Sequence, residues 1–173
     1  MPLPKDVLRL RIKNEVEMCQ RELRHHISVS DPNLTSFPIM VSVTLLRVPG
    51  PDWEEGKVVH RFVHRLAILI SHDYPMEKPI VKWMTPIFHP NIMAPEDGGY
   101  VCTKLLENWD FSSNLMTFIK GIESLLTTPN PRNPFGNDTC TRAAAYFNRK
   151  RYNPPLVMNQ SDKRIRIVGD AND

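Results

Sequence analysis

The sequence predicts an α+β domain in which helices pack against one antiparallel sheet. Three observations predict it. Apolar residues recur at helical period near the start, at Leu8, Ile12, Val16, Cys19 and Leu23, and again at Leu115, Phe118, Ile119, Ile122, Leu125 and Leu126. Between these stretches, residues 25–85 alternate β-branched runs with Pro-bounded turns. A segment over 86–111, dense in Pro, Asn and Gly, separates the strands from the later helices and carries a cysteine.

The elements follow in order. The first helix is expected over 6–24, with Cys19 as a small core residue on its stripe. DPNLTSFP is a turn and PIMVSVTLL a strand. VPGPDWEEG reads as a loop or hairpin tip, and VVHRFVHRLAILI as a second strand run long enough to bend. SHDYPMEKP is a Pro-pinned loop and IVKWM a short strand, so the meander has three or four strands. His60 and His64 share strand parity, but no Cys or acid nearby completes a metal set, and they read as surface or packing histidines. Tyr74 and Trp109 read as core aromatics. The second helix, over 113–126, can be capped by Ser112 or Ser113 and is stopped by Pro129 and Pro131. The last, over 141–152, is ended by Pro154 and Pro155, with Cys140 expected in helix packing. The domain is therefore expected over 1–155. Residues 156–173 form a polar C-terminal extension whose periodicity selects neither helix, strand nor disorder.

Composition narrows the class. A chain of 173 residues suffices for one domain with its own core and is short for two. With 16 Pro against 7 Gly, the loops are expected to be stiff. The net charge of +3 is mild. The basic runs at Lys5–Lys13 and Arg149–Arg151 lack interleaved aromatics, so no nucleic-acid partner is expected. The start has no apolar core of signal-peptide length, and no run approaches the roughly 20 apolar residues of a membrane span. No membrane partner is expected. The three cysteines are far apart with no CxxC, which argues against zinc or disulfides and for a reducing, cytoplasmic setting.

The question is then whether one cysteine is a nucleophile. Cys102 lies in an apolar, Pro-rich loop downstream of His89-Pro90-Asn91. By chemistry alone it could be buried filler, a protease-like nucleophile or a thioester carrier. A protease-like nucleophile needs an adjacent histidine base, and His89 is clamped between Phe88 and Pro90. A carrier receives its acyl group from another thioester and needs no strong base. It needs an accessible position and a donor for the oxyanion that forms when an amine attacks. The Asn91 side-chain amide can supply one, and removing such a donor costs about 10²–10³ in rate. Proximity of amine and thioester supplies much of the rest.

The run YPMEKPIVKWMTPIFHPNI, followed by Cys102, Trp109 and a helix ending SLLTTPNPRNP, resembles the ubiquitin-conjugating enzymes. GPDWEEGKVVHRF resembles the family's hairpin, Arg11-Ile12 with Glu15 its first helix, and AAAYFNRKRY its penultimate helix; the likeness covers roughly residues 6–152. The resemblance implies the ubiquitin-conjugating-enzyme fold, a four-stranded antiparallel meander with an N-terminal helix and C-terminal helices. It implies Cys102 as the thioester cysteine and Asn91 as the motif asparagine that steadies the oxyanion and orders the loop. Asn133 falls where many members carry an Asp or Ser at the mouth of the site. His89, Pro90 and Trp109 take structural places around the site. Arg9, Arg11 and Lys13 resemble the surface that meets the activating enzyme, and Met76, Ser112 and Ser113 the loops that meet a ligase, often of RING type. The implied partners are ubiquitin or a ubiquitin-like modifier, an activating enzyme, a ligase and substrate lysines. The implied state is a monomer without metal or cofactor, ATP being consumed upstream.

Three features depart from the family pattern. APEDGG, at 94–99, lengthens the interval before Cys102, the hairpin over 47–65 is long, and the C-terminus is a poor amphipathic helix. The competing readings are an inactive binding scaffold of the same fold and an unrelated cysteine hydrolase. A Ser, Thr or Glu in place of Cys102 would favour the first, a mobile histidine beside it would favour the second, and a fully buried Cys102 would undermine the carrier reading.

Overall fold

The structure is a computed structural model that describes residues 2–106 and 108–157. Helix α1 (Lys5–Glu22) leads into strands β1 (His26–Val29), β2 (Ile39–Glu54), β3 (Lys57–Ile70) and β4 (Ile80–Trp83). Two single 3₁₀ turns follow, at Pro95–Asp97 and Thr103–Leu105. Helices α2 (Leu115–Thr127) and α3 (Asp138–Arg149) complete the described chain. The strands pair antiparallel in the order β1-β2-β3-β4, the expected meander.

Period-2 patterning sets the sheet face. Ile39, Val41, Val43 and Leu45 of β2 are buried, while Met40 and Ser42 between them are exposed. On β3, Leu66, Ile68 and Ile70 are buried, and Ala67 between them is buried too. The α1 stripe of Leu8, Ile12, Val16 and Cys19 and the α2 stripe of Leu115, Phe118, Ile119, Ile122, Leu125 and Leu126 join this face in one core. Helix α3 packs elsewhere. Ala143 and Phe147 meet Phe88 and Tyr152 in a second cluster, against which Trp53, Val58 and Tyr146 lie.

The structure corrects four local readings. First, VPGPDWE is strand rather than loop: β2 continues to Glu54, pairing Gly50 with Arg61 and Glu54 with Lys57. A bulge between Leu46 and Gly50, with Arg47 at φ +59°, absorbs Pro49, which cannot donate to a ladder. The turn is only Glu55-Gly56, both at positive φ, as a two-residue hairpin requires. Glycine is needed at position 50 because a Cβ there would stand 2.6 Å from Leu126 and 2.7 Å from His64. Second, β1 went unread because four residues are too few to display a period.

Third, α2 is capped by Asn114, not by Ser112 or Ser113. Its side chain accepts from the Thr117 N–H, while the Asn114 N–H reaches the Thr117 hydroxyl in a capping box. Fourth, α3 starts at Asp138, three residues before the expected 141, and ends at Arg149. His64 is fully buried with Nε2 on the Val48 carbonyl and is a packing residue, while His60 is an exposed residue that meets the Tyr152 hydroxyl. The extension beyond residue 157 lies outside the described residues.

Candidate active site

The site is organised around His89, which is fully buried between the sheet and α2. Its Nε2–H donates to the Leu125 carbonyl at 2.8 Å, and its Nδ1 accepts the Asn91 N–H at 3.0 Å. One bond fixes the tautomer and the other closes the turn over Pro90. Burial lowers the imidazole pKa from 6.5 to about 4, more than its backbone hydrogen bonds can restore. Both nitrogens are committed, so His89 has no free base to offer Cys102. A group whose folded pKa is depressed stabilises the fold above its unfolded pKa, and that contribution is lost as pH falls towards the folded one. Here the window runs from 6.5 down to about 4. The loss from His89 is expected to be about 2 kcal/mol at pH 5, read by urea unfolding at pH 7.5 and pH 5. A His89→Gln protein should be less stable at pH 7.5 and show a shallower fall between the two.

Asn91 is fully buried. Its Nδ2 donates to the carbonyls of Asn130 at 2.9 Å and Asn133 at 3.0 Å, and its Oδ1 accepts the Asn130 N–H at 2.7 Å. Both amide hydrogens therefore hold the loop after α2. An oxyanion role requires one of these bonds to be exchanged during reaction, which refines the expectation for this residue. Pro90 takes part through its carbonyl, which accepts the Phe135 N–H at 3.0 Å. Asn133 is exposed and linked to Asn91 through its backbone carbonyl, leaving its side chain at the surface.

Cys102 follows directly from this scaffold. Its N–H donates to the Asn91 carbonyl at 2.9 Å, and the neighbouring Val101 bridges Ile92. The chain turns at Cys102 into the 3₁₀ turn Thr103–Leu105, and the thiol is partly exposed. Cys19 and Cys140 are fully buried, and burial pushes each thiol up to about 11. Cys102 is the accessible cysteine.

The 94–99 segment is an ordered turn. The Met93 N–H donates to the Tyr100 carbonyl, and the Gly98 and Gly99 N–H groups close back on Pro95 and Ala94. The Trp83 N–H donates to the Gly99 carbonyl at 2.6 Å. Gly99 sits at φ +69°, and a Cβ there would stand 2.5 Å from the Trp83 carbonyl oxygen. Lys82 donates to the Gly98 carbonyl and lies 3.6 Å from the Tyr100 ring centroid. The Asn137 amide reaches Asp97 from the start of α3. The segment is thus clamped to β4 and α3.

The expected recognition residues separate into two groups. Lys13 is exposed, and Arg9 is half-exposed, donating to the Leu34 carbonyl. Arg11 is half-buried and engaged within the fold. Its guanidinium donates to Glu15 and to the Phe111 and Ser113 carbonyls, and lies over the Phe111 ring. Met76 and Phe111 are exposed apolar side chains. Trp109 ties the loops that carry them by donating from Nε1 to the Pro75 carbonyl at 2.6 Å, while its ring packs on Tyr74 and Phe118. Ser112 bonds Asp110, and the Ser113 hydroxyl accepts the Asp110 N–H, so both shape the loop before α2.

Two features escaped the sequence reading. Glu15 is a buried hub that accepts from Arg11, the Tyr74 hydroxyl and the Leu115 N–H. Burial and the Glu15 charge together push the Tyr74 hydroxyl far above its ordinary pKa. An acid on an apolar stripe was the available signal. The second is a groove between α2 and the chain after Cys102, lined by Leu106, Trp109, Phe118, Leu125, Pro129 and Pro131 among others.

Comparisons with known proteins identify the family. The family profile described as ubiquitin-conjugating enzyme matches residues 11–155. The chain is 33% identical over 112 residues to ubiquitin-conjugating enzyme E2 13 of Saccharomyces cerevisiae, covering 62% of this chain and 63% of that one. It is 35% identical over 142 residues to the probable ubiquitin-conjugating enzyme E2 L460 of Acanthamoeba polyphaga mimivirus, covering 81% and 83%. With ubiquitin-conjugating enzyme E2 N of Drosophila melanogaster the likeness spans about half that protein's length, 49%. Among solved structures, a putative ubiquitin conjugating enzyme from Plasmodium yoelii superposes with a TM-score of 0.61 at 26% identity, covering 87% of this chain and 88% of that one. S. cerevisiae Ubc12, with a TM-score of 0.61 at 22% identity, covering 82% of this chain and 71% of that one, shares the fold. With the profile spanning most of the domain, including the His-Pro-Asn turn and Cys102, the chain belongs to the ubiquitin-conjugating enzyme family.

Proposed function

We propose that the protein accepts ubiquitin or a ubiquitin-like modifier from an activating enzyme as a thioester on Cys102 and transfers it to a lysine amine, with a ligase, of RING type, as the usual helper. The observation that carries this reading is the pairing of an accessible thiol with the His-Pro-Asn turn through the bond from the Cys102 N–H to the Asn91 carbonyl. Transthioesterification exchanges one thioester for another, so the absence of a free base at His89 is compatible with it. The same commitment of His89 weighs against a hydrolase using that residue. The groove along α2, lined by Leu106, Trp109 and Asn130 among others, is the expected seat of the modifier's tail. Asn133 is exposed, and its neutral amide is proposed to hydrogen-bond an incoming amine. The exposed Met76 and Phe111, on loops joined by Trp109, are the proposed ligase surface, and Lys13 with Arg9 remains the part of α1 open to the activating enzyme. A cytoplasmic monomer without metal or cofactor is the working expectation.

The test mixes the protein with an activating enzyme, ATP and candidate modifiers, and reads a gel with and without thiol reductant. A reductant-sensitive band shifted by one modifier is expected. No band with any modifier, while Cys102 is unreactive to alkylation, would sink the reading. Asn91→Ala adds a second readout. Charging should persist, because the Cys102 bond uses the backbone carbonyl of residue 91. Discharge to free lysine should slow by about 10²-fold, within the range for losing one oxyanion donor or its supporting loop. Unchanged rates in both steps would remove Asn91 from the mechanism.

A further inference from the structure

Cys102 is the N-cap of the Thr103–Leu105 turn, and the middle residue of that turn is Lys104. We infer that Lys104 is a self-modification site, an amine that takes the acyl group from Cys102 of the same molecule. The inference rests on the carrier role proposed for Cys102. Two lysines stand at this turn, and the structure distinguishes them. Lys78 is part-buried, with its Nζ donating to the Thr103 carbonyl at 3.2 Å, where it braces the backbone just after the nucleophile. Lys104 is exposed and makes no hydrogen bond or ion pair among the described residues. It is therefore the amine at liberty to move.

Reach favours the reaction. Residues two apart are separated by at most about 7 Å even in fully extended chain, and the chain is turning here. A lysine carries its ammonium on a flexible four-carbon stem, which spans that separation. Tethering the amine beside the thioester makes the transfer effectively unimolecular. The step balances without a further reactant. The deprotonated Lys104 Nζ attacks the thioester carbonyl, a C–N bond forms, and the C–S bond breaks. The electron pair leaves on the Cys102 sulfur, and the proton lost by the amine ends on that thiolate or on water. The product is an isopeptide on Lys104 and a free Cys102 thiol.

The experiment loads the full-length protein from ubiquitin bearing a small-molecule C-terminal thioester, which exchanges onto an accessible cysteine without an activating enzyme. Free donor is removed and the decay of the loaded protein followed without acceptor. The expected result is a reductant-resistant monoubiquitinated product mapped to Lys104 by mass spectrometry. Its first-order rate should be unchanged on tenfold dilution. Lys104→Arg keeps the positive charge and should lower the yield of this adduct at least tenfold, while Lys78→Arg should leave it in place. A loaded Cys102 whose adducts map elsewhere, or whose rate scales with protein concentration, overturns the inference and leaves the carrier role standing. Failure of the thiol-accessible protein to form a reductant-sensitive adduct with the thioester of ubiquitin or of any ubiquitin-like modifier overturns the carrier role and this inference with it.

Discussion

Replacing Cys102 by alanine should abolish formation of the reductant-sensitive adduct, with no residual band above background. Cys19 and Cys140 cannot substitute, because both thiols are fully buried and burial disfavours their thiolates. Cys102→Ser should retain slower loading and convert the band to a reductant-resistant oxyester, since a hydroxyl is the weaker nucleophile and an oxyester does not exchange with thiols. Cys102→Lys should trap a stable amide. In each variant the scaffold should persist, because residue 102 is positioned by its backbone N–H on the Asn91 carbonyl and not by its side chain. Thermal unfolding close to that of the parent checks this. A Cys102→Ala protein that still formed a labile adduct would move the carrier role to another residue.

Glu15→Ala should destabilise the protein by about 3–5 kcal/mol, the range for breaking a buried, hydrogen-bonded ion pair by removing one partner. The carboxylate joins three elements. It accepts from Arg11 on its own helix, from the Tyr74 hydroxyl in the loop before β4, and from the Leu115 N–H at the start of α2. Removing it leaves the hydroxyl and the N–H without partners in a buried place, and each such orphan costs about 1–3 kcal/mol. It also frees Arg11, which anchors the Phe111 and Ser113 carbonyls. Glu15→Gln, which keeps an acceptor but loses the charge, should fall between parent and Ala. Urea unfolding at pH 7.5 gives both differences. Because the hub underlies the Met76 and Phe111 loops, ligase-stimulated discharge should fall more than unstimulated discharge in Glu15→Gln. Equal stability of Glu15→Ala and parent would show that Arg11 and Tyr74 find other partners.

The readable parts of the fold were those written in local periodicity. The stripes on α1 and α2 fell at steps of three and four, and each named stripe residue within those helices is buried. The alternation on β2 and the run on β3 set their inward faces in the same way. Where periodicity was too short or interrupted, reading failed. β1 has four residues, and the second half of β2 carries two prolines and a glycine that mimic a loop. Only pairing with β3 identifies that half as strand, because the partner supplies the hydrogen bonds that proline patterning conceals.

By itself the sequence determined the family, the accessible cysteine's candidacy and the sheet-and-helix order, since these depend on residue types at fixed spacing. Only the tertiary structure decided what each polar side chain does. Asn91 is tied to carbonyls 39 and 42 residues away, His89 to one 36 residues away, and Arg11 to carbonyls 100 and 102 residues away. A hydrogen-bond partner is set by where the folded chain crosses itself, and that crossing is encoded by the whole core and not by the residues beside the donor. The burial that holds His89 neutral and Asn91 committed is a property of the same crossing, so the chemistry open to the His-Pro-Asn turn became definite only in three dimensions.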